Sequence, residues 1–298
     1  SIMISDIKDT NAGQHIQTYG AMGCRKGRKR KSIMFLPEKI RGLVRDEPYQ
    51  KDGIGMSGST VLMFHDKVLK IQQCSEEAEN EYRMMKYLQG KVPVPEVYAC
   101  ETEGDRTYLL MRKCTGRMAC SGAYRKDWNV LCGLLANSLK MLWNVDVSDC
   151  PSDQRLCRKL AQAARNVETG LVDLDNVEPD TFGEGGFRDP EDLLQWLYNN
   201  MPEEEPVLSH GDLCLPNVFG IDDRVTGYID LGRAGTADKW CDIALCCRSL
   251  FHNFSGKYSD VSVDRMPVEF DVRQFFSLLD LEPDWQKVRY YILLDELF

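Results

Sequence analysis

The chain has 298 residues, of which 43% are hydrophobic and 28% charged, the composition of an ordinary globular protein long enough to bury one large core or two smaller ones. It contains no run of eighteen apolar residues and does not begin with the charged-then-apolar order of a secretory signal, so we expect neither a membrane span nor a membrane partner. The formal net charge of -9 is unevenly distributed. Residues 1–50 carry ten Lys and Arg against five Asp and Glu, whereas the remainder carries 27 Lys and Arg against 41 Asp and Glu. Such an acidic body argues against nucleic acid as a partner and suits a polycationic ligand.

The first 34 residues are basic and lack hydrophobic periodicity. Arg25–Lys31 contains six Lys and Arg. The segment predicts a disordered basic extension, and an arm that binds anionic partners is the alternative. A short helix is predicted after it, over Leu36–Val44.

The next stretch is rich in glycine and hydroxyl side chains. Gly53–Val61, which includes Ser57 and Gly58, has a composition that lets backbone and hydroxyl groups approach phosphates. Such a loop is a weak signal alone, since many are simple hairpin turns. Two strand-like runs accompany it, Val61–Phe64 and Lys67–Ile71.

A lysine within the second of these runs predicts an ion pair. Lys70 lies between apolar residues and needs a counter-charge, because burying an unpaired charge is strongly unfavourable. The following segment, Glu76–Gln89, has helical spacing, and Glu81 falls on its apolar face. We therefore expect Glu81 to point inward; the other acidic residues of this helix are the solvated alternatives.

Further buried elements are predicted from hydrophobic patterning. Tyr108–Met111 is typical of a buried strand. Helices are predicted over Trp128–Trp143, Arg155–Thr169, a segment that includes Leu193–Tyr198, Asp264–Ser277 and Trp285–Phe298.

Twelve cysteines are scattered along the chain without a Cys-x2-Cys pair. This argues against a zinc site or a disulfide framework and favours a reducing cytoplasm. Cys241, Cys246 and Cys247 fall in an apolar helix-like stretch, which indicates buried small hydrophobic residues.

Three oxygen-bearing side chains follow a strand-like run in the last third. Asp212 precedes Asn217 by five residues, and Asp230 comes thirteen residues later. Val218–Phe219 and Val225–Ile229 predict two short strands around a turn, which would place Asp230 close to Asn217. The alternative is an ordinary surface hairpin with carboxylates in its turn.

These residue types are the ones that phosphoryl transfer requires. One carboxylate must orient the acceptor hydroxyl and take its proton, the role we predict for Asp212. A carboxamide and a second carboxylate must hold Mg²⁺ against the phosphate oxygens, and oxygen ligands are what this cation prefers. Asn217 and Asp230 are the predicted metal ligands.

Motifs in the last third of the chain resemble the aminoglycoside phosphotransferases, which are eukaryotic-protein-kinase-like enzymes. The residues that carry this resemblance are His210–Asp212, Asn217 and Ile229–Arg233. Ala237–Ala244 and Tyr290–Phe298 resemble the aminoglycoside 3'-phosphotransferase branch in particular. The resemblance runs from about residue 36 to the last residue.

The resemblance implies an α+β, two-lobed protein-kinase-like fold. A small β-rich N-terminal lobe with one helix would span residues 35–112, after the extension at 1–34. A larger, mostly helical C-terminal lobe would span 113–298. ATP, with GTP as the alternative nucleotide, would bind between the lobes.

The resemblance also implies roles for individual residues. The nucleotide site would comprise Ser57, Gly58, Lys70, Glu81, Met111 behind the base, and backbone groups of Arg112 and Cys114. The acceptor site would be lined by Glu178, Asp180, Arg233, Asp295, Glu296 and Phe298. His210 and Asp242 would support the loop that carries Asp212.

The acidic tail supplies a further argument for a cationic acceptor. Asp295 and Glu296 place negative charge at the C-terminal end of a predicted helix, which is unfavourable against the helix dipole. They therefore call for a cationic partner, or simply for water.

The function implied is ATP-dependent phosphorylation of the 3'-hydroxyl of a kanamycin-like or neomycin-like aminoglycoside, with antibiotic resistance as the outcome. A monomer or weak dimer is expected. The alternatives are a kinase of another small alcohol, such as choline or a macrolide, and a non-catalytic nucleotide-binding protein.

Overall fold

A five-stranded antiparallel sheet forms the first part of the described chain. The computed structural model describes residues 36–51, 59–255 and 271–298. The strands are β1 (Gln50–Lys51), β2 (Thr60–Met63), β3 (Lys67–Gln73), β4 (Val97–Glu103) and β5 (Arg106–Arg112). They pair in the order β1-β2-β3-β5-β4, so β3 lies in the middle of the sheet. Lys70 is therefore carried by a strand that is paired on both sides.

Two helices pack against this sheet, α1 (Glu38–Val44) and α2 (Glu76–Leu88). Leu110 of β5 belongs to the same hydrophobic cluster as Ile40 of α1. Its neighbours Leu109 and Met111 belong to the cluster that contains the apolar side chains of α2. Because successive side chains of a strand point to opposite faces, β5 is buried on both sides, as predicted.

The first turn of α2 is fixed by its cap. The Ser75 hydroxyl accepts a hydrogen bond from the Ala78 amide at 3.1 Å, and acidic residues in the first turn complement the helix dipole. The buried face carries Met84, Leu88 and Glu81. The predicted inward direction of Glu81 is confirmed.

Helices make up most of the remaining described chain. They are α3 (Gly122–Arg125), α4 (Trp128–Trp143), α5 (Leu156–Thr169), α6 (Pro190–Asn199), α7 (Lys239–Ser255), α8 (Val272–Leu278) and α9 (Trp285–Asp295). The strands among them are β6 (Arg117–Met118), β7 (Pro206–Ser209), β8 (Val218–Ile221), β9 (Arg224–Tyr228) and β10 (Gly235–Asp238). They form a three-stranded sheet, β6-β8-β9, and a two-stranded sheet of β7 and β10.

Helix α4 belongs to the buried core of this helical part. Its side chains Leu131, Leu135 and Leu139 are fully buried at helical spacing, as predicted. The hydroxyl of Tyr228 on β9 donates to the Ser138 carbonyl of α4 at 2.8 Å. This bond joins the hairpin β8–β9 to the core of the helical part.

The cysteines of α7 are core residues. Cys241, Cys246 and Cys247 are at most 4% exposed, and burial raises the pKa of each thiol. Every cysteine in the described ranges is free. Their interpretation as small hydrophobic residues is confirmed.

Two predicted helices differ in extent from the structure. Helix α8 begins at Val272, and the residues from Asp264 to 270 lie outside the described part of the chain. Helix α9 ends at Asp295, so the prediction that it continues to Phe298 is wrong. The last turn is tighter, because the Phe298 amide donates to the Asp295 carbonyl, three residues back, at 3.2 Å.

The described chain has the predicted α+β architecture, with a β-rich first part and a helical second part. Residues Leu36–Phe298 form one compact unit. The lobe boundary at residue 112 and the nature of residues 1–34 stay predictions. Within the described ranges, no helix combines the length and apolar character needed to span a bilayer.

Candidate active site

The loop after β7 is held rigidly by a buried carboxylate. Asp242 of α7 is fully buried, and its two oxygens accept hydrogen bonds from the backbone amides of His210 at 2.7 Å and Gly211 at 2.9 Å. Gly211 has a φ of 80°, and a Cβ there would lie 2.0 Å from the Arg233 carbonyl oxygen. The tight approach of these two segments therefore requires glycine at this position. The predicted structural role of Asp242 is confirmed.

His210 joins this loop to the end of β9. Its Nε2 lies 2.9 Å from the Ile229 carbonyl oxygen, and its Nδ1 accepts a hydrogen bond from the Asp212 amide at 3.3 Å. The ring therefore carries its proton on Nε2. Both nitrogens are committed to the backbone, which confirms the predicted supporting role of His210.

Both carboxylate oxygens of Asp212 receive a hydrogen bond. The Cys214 thiol donates to Oδ1 at 3.0 Å, and the Asn217 carboxamide donates to Oδ2 at 3.1 Å. Burial, followed by the nearby Asp212 charge, raises the pKa of the Cys214 thiol well above its usual value, so this group stays a neutral donor. The sequence did not single out Cys214, although it lies only two residues after Asp212.

Asn217 and Asp230 come from adjacent backbone segments, as predicted. The Ile229 amide donates to the Asn217 carbonyl at 3.1 Å, and Asp230 is the next residue along the chain. Asp230 has a φ of 59°, in the left-handed region that Asp enters more readily than most residues. A 3-10 turn over Leu231–Arg233 begins directly after it.

A buried ion pair connects β3, α2 and the Asp230 segment. The Lys70 ammonium lies 3.1 and 2.9 Å from the two carboxylate oxygens of Glu81 and also bonds Asp230. Lys70 is 9% exposed and Glu81 is 2% exposed. Burial lowers the pKa of Lys70, but the carboxylates of Glu81 and Asp230 outweigh it and raise this pKa above its usual value. The lysine therefore stays charged at any physiological pH.

The predicted hinge residues lie at the end of β5. Met111 is 5% exposed and packs in the core. The Arg112 amide donates to the Glu96 carbonyl at 2.8 Å, so it is already engaged. The Cys114 amide has no hydrogen-bond partner among the residues that the structure describes. Ser57 and Gly58, predicted to contact phosphates, lie outside the described residues.

The tail of α9 forms an ion network that sequence reasoning missed. Arg248 of α7 bonds Asp295 and lies 3.3 Å from Glu296, while Arg233 lies 3.0 Å from Asp295. The positive charge that the helix-dipole argument called for is thus present within the chain, and the assignment of the tail to the acceptor site stays a prediction. Two arginines of this chain already supply positive charge to it.

The two tail carboxylates differ in their acidity because they differ in their partners. Burial opposes the charge of Asp295, but Arg248 and Arg233 outweigh it and lower the pKa of this carboxyl. Glu296 faces Arg248 alone, and burial raises its pKa to about 7. Glu296 also accepts a hydrogen bond from the Glu178 amide at 2.9 Å, which ties the acidic loop to the tail.

The predicted acceptor residues are brought together with one exception. Glu178, Arg233, Asp295, Glu296 and Phe298 line a common cleft. Asp180 does not line it and is exposed. The Thr181 amide donates to the Glu178 carbonyl at 3.0 Å, and this turn directs Asp180 away from the cleft.

The cleft has a volume of about 600 Å³, and Lys70, Asp212 and Asp230 line it together with the acceptor residues. Asn217 does not line the cleft itself, but its carboxamide is hydrogen-bonded to Asp212. The carboxylates of the cleft outnumber its Lys and Arg side chains by eight to three. The carboxylates are Glu77, Glu81, Asp173, Glu178, Asp212, Asp230, Asp295 and Glu296. The Lys and Arg side chains are Lys70, Arg233 and Arg248. A cleft with this charge can attract a polyamine at one end while a lysine and oxygen ligands remain at the other.

The cleft has ligands that suit a magnesium ion accompanied by phosphates. Among the described residues, no group of three or more His, Cys, Asp or Glu side chains could hold a metal by itself. Mg²⁺ commonly uses one or two protein oxygens and completes its shell with phosphate and water. Because the nitrogen of the Asn217 carboxamide is committed to Asp212, its oxygen remains for a cation.

Comparisons with known proteins agree with this geometry. The sequence model of a phosphotransferase enzyme family matches residues 51–290. An aminoglycoside 3'-phosphotransferase of Enterococcus faecalis is 40% identical over 278 residues, covering 89% of this chain and 99% of the relative. One of Staphylococcus aureus is 39% identical over 277 residues, with the same coverage.

Solved structures show the same fold. A crystal structure of an aminoglycoside-3'-phosphotransferase of type VIII is 28% identical and superposes with a TM-score of 0.68, covering 87% of this chain and 98% of the other. An aminoglycoside phosphotransferase from Streptomyces rimosus, solved with ADP and streptomycin, has a TM-score of 0.69 at 22% identity, with coverage of 87% and 96%. The chain therefore belongs to the phosphotransferase enzyme family and, within it, to the aminoglycoside 3'-phosphotransferases.

Proposed function

We propose that this protein transfers the γ-phosphoryl group of ATP to the 3'-hydroxyl of an aminoglycoside antibiotic such as kanamycin or neomycin, and thereby confers resistance. The observation that carries the proposal is the single cleft that joins the Lys70, Asp212 and Asp230 side chains to an acidic acceptor wall. The names of the relatives supply the substrate class.

The nucleotide is assigned to the Lys70 end of this cleft. Lys70 is charged and held in place by Glu81, so its ammonium can contact phosphate oxygens. Met111 would lie behind the base, and the uncommitted amide of Cys114 would meet its edge. Since the Arg112 amide is engaged by Glu96, we assign no donor role to it.

The metal is assigned to the oxygens of Asn217 and Asp230. Bound there, Mg²⁺ would neutralise charge on the phosphate oxygens. Asn217 is well placed for this role because its carboxamide is fixed by hydrogen bonds to both the carbonyl and the carboxylate of Asp212.

Asp212 is assigned to orient the acceptor hydroxyl and to accept its proton. The donors Cys214 and Asn217 each occupy one direction on its carboxylate and leave further lone pairs for the hydroxyl. This arrangement fixes the rotation of the carboxylate before the substrate binds. Catalysis of phosphoryl transfer depends mainly on such positioning and on electrostatic stabilisation.

The aminoglycoside is assigned to the wall formed by the acidic loop and the tail. Glu178 and Glu296 supply negative charge to its ammonium groups. Asp295 is already paired with two arginines, so we assign it mainly to shaping this wall. Phe298 and Arg233 form its edge, where the guanidinium lies 5.3 Å from the ring centre.

The proposal is tested by incubating the protein with Mg-ATP and a panel of kanamycin, neomycin, a lividomycin-type aminoglycoside, choline and a macrolide. Mass spectrometry should show one added phosphate on kanamycin and neomycin, and fragmentation should place it on the 3'-hydroxyl. Transfer to choline alone would assign the protein to another acceptor.

The matched variant is Asp212→Asn, which keeps the shape of the side chain but removes its basicity. We expect transfer to be lost while ATP binding, measured by calorimetry, is nearly unchanged. Transfer at a near wild-type rate would show that the role assigned to Asp212 is wrong.

A further inference from the structure

A second cavity lies directly beside the catalytic cleft and differs from it in charge. It has a volume of about 720 Å³ and lies between α2 and α5. Arg233, Asp295 and Phe298 line both spaces, so these residues form a shared wall. The Lys and Arg side chains that line the second cavity, called here the basic cavity, are Arg83, Arg158, Lys159, Arg165 and Arg233.

Two of these five cations have carboxylate partners. Arg233 pairs with Glu77 and Asp295, and Arg158 lies 3.7 Å from Glu76. These pairs account for three of the four carboxylates that line the basic cavity. Glu79 is the fourth.

The other three cations have neutral partners. Arg83 donates to the side-chain carboxamide oxygen of Asn80 at 2.9 Å, and Arg165 donates to the side chain of Gln162. Neither arginine has a carboxylate within 4.0 Å among the residues described by the structure. Five cations against four carboxylates leave the basic cavity with one net positive charge. Arg83, Lys159 and Arg165 are the cations of this lining without a carboxylate partner among the described residues.

Lys159 is the most informative of the three. Its ammonium lies 3.2 Å from the Cys241 sulfur, its only hydrogen-bond partner in the described ranges. Burial opposes its charge, but the sulfur of Cys241 and the carboxylate of Asp295 raise the pKa of Lys159 above its usual value. The amine therefore carries three N–H donors, of which a thiol, a weak acceptor, engages one.

We propose that the basic cavity binds a small phosphate-bearing anion between Arg83 of α2 and Lys159 and Arg165 of α5. The positive charge of these three side chains favours an anion, and the oxygens of a phosphate group suit guanidinium and ammonium donors. The volume leaves room for a phosphate ester larger than inorganic phosphate. This site is separate from the nucleotide site, which lies on the other side of the shared wall.

Binding there would connect the two parts of the fold. Helix α2 carries Glu81, the partner of Lys70, whereas α5 belongs to the helical part. An anion that bridges the two helices would hold α2 in the position seen in the structure. The ligand would therefore stabilise the fold and the ion pair at Lys70 together.

The test is isothermal titration calorimetry of the full chain with inorganic phosphate and, separately, glycerol 3-phosphate, at constant ionic strength set with chloride. Saturating ADP is present so that the nucleotide site is filled. We expect one site in each titration, and tighter binding of the ester would identify a phosphorylated metabolite as the ligand. Equal binding would identify free phosphate as sufficient.

The deciding variants are Arg83→Gln and Arg165→Gln at exposed positions and Lys159→Met at a partly buried one; each removes the charge but keeps the aliphatic stem of the side chain. Each should weaken binding at least about tenfold, a loss of about 1.4 kcal/mol. Arg155→Gln is the control, because Arg155 pairs with Asp153 and does not line the cavity. No heat of binding in the wild type, or equal binding in all four variants, would overturn the proposal.

Discussion

The arginine that anchors the acidic tail offers a stringent test of the site. Arg248→Met keeps the unbranched apolar stem of the side chain but removes the charge that faces Asp295 and Glu296. Both carboxylates and Arg248 itself have side chains less than a fifth exposed. Removing one partner of a buried ion pair commonly costs about 3–5 kcal/mol, because the other charge stays buried without compensation.

The structure places the expected loss near the lower end of that range. Asp295 keeps Arg233 at 3.0 Å, so only Glu296 is left without a cation. Glu296 retains the Glu178 amide as a donor. We therefore expect the free energy of unfolding to fall by about 3 kcal/mol, which for a chain of this size lowers the Tm by roughly 6–12 °C.

The assay is thermal unfolding followed by circular dichroism, combined with steady-state kinetics of the folded variant. The KM for kanamycin should rise about tenfold or more, since the wall loses its shape, while the KM for ATP changes little. Arg155→Met is the matched control, because its ion pair with Asp153 is about half exposed and should contribute less than about 1 kcal/mol. If the Tm of Arg248→Met fell by less than about 2 °C, the reasoning would be refuted.

Three further predictions concern individual residues of the cleft. Because burial raises the pKa of Glu296 to about 7, its carboxyl gains a proton as the pH falls through this value, and the KM for kanamycin should rise below pH 7. Glu296→Gln should abolish this pH dependence of the KM. If the dependence persisted in the variant, it would belong to another group. Glu81→Gln leaves Asp230 as the one carboxylate partner of Lys70 among the described residues and should raise the KM for ATP at least about tenfold in a coupled ADP-release assay. An unchanged KM would show that Glu81 does not position the lysine. Cys214→Ala should lower kcat several-fold with little effect on either KM, because Asp212 loses a hydrogen-bond donor that orients it. Cys214→Ser keeps a donor and should retain activity; equal kcat values for the two variants would exclude a hydrogen-bonding role.

The parts of the site that could be predicted are those with a local physical signal. Lys70 in an apolar strand requires a nearby acid, and the helical period placed Glu81 on the inward face. Asp212 and Asn217 lie on one short loop, so their spacing constrains their distance. In each case a few neighbouring residues carry the information.

The ion network of the tail had no such signal. Arg248 lies 47 residues before Asp295 and is surrounded in sequence by buried residues of α7. Its position within the helix does not show which distant segment it faces. Only the packing of α7 against α9 in the folded chain brings the two together.

The acidic loop shows a different limit. Glu178 and Asp180 are two residues apart, yet only Glu178 reaches the cleft. An irregular loop has no repeating period from which side-chain direction can be inferred. The hydrogen-bonded turn between Glu178 and Thr181 determines the direction of these side chains, and the sequence gives no clear sign of that turn.

The wall formed by Arg233, Asp295 and Phe298 has a consequence for the evolution of the enzyme. A substitution there that admits a bulkier antibiotic also alters the neighbouring basic cavity, because the same residues border both. Glu178, by contrast, borders the catalytic cleft alone. Selection for a wider drug range should therefore accumulate changes in the acidic loop sooner than in the tail.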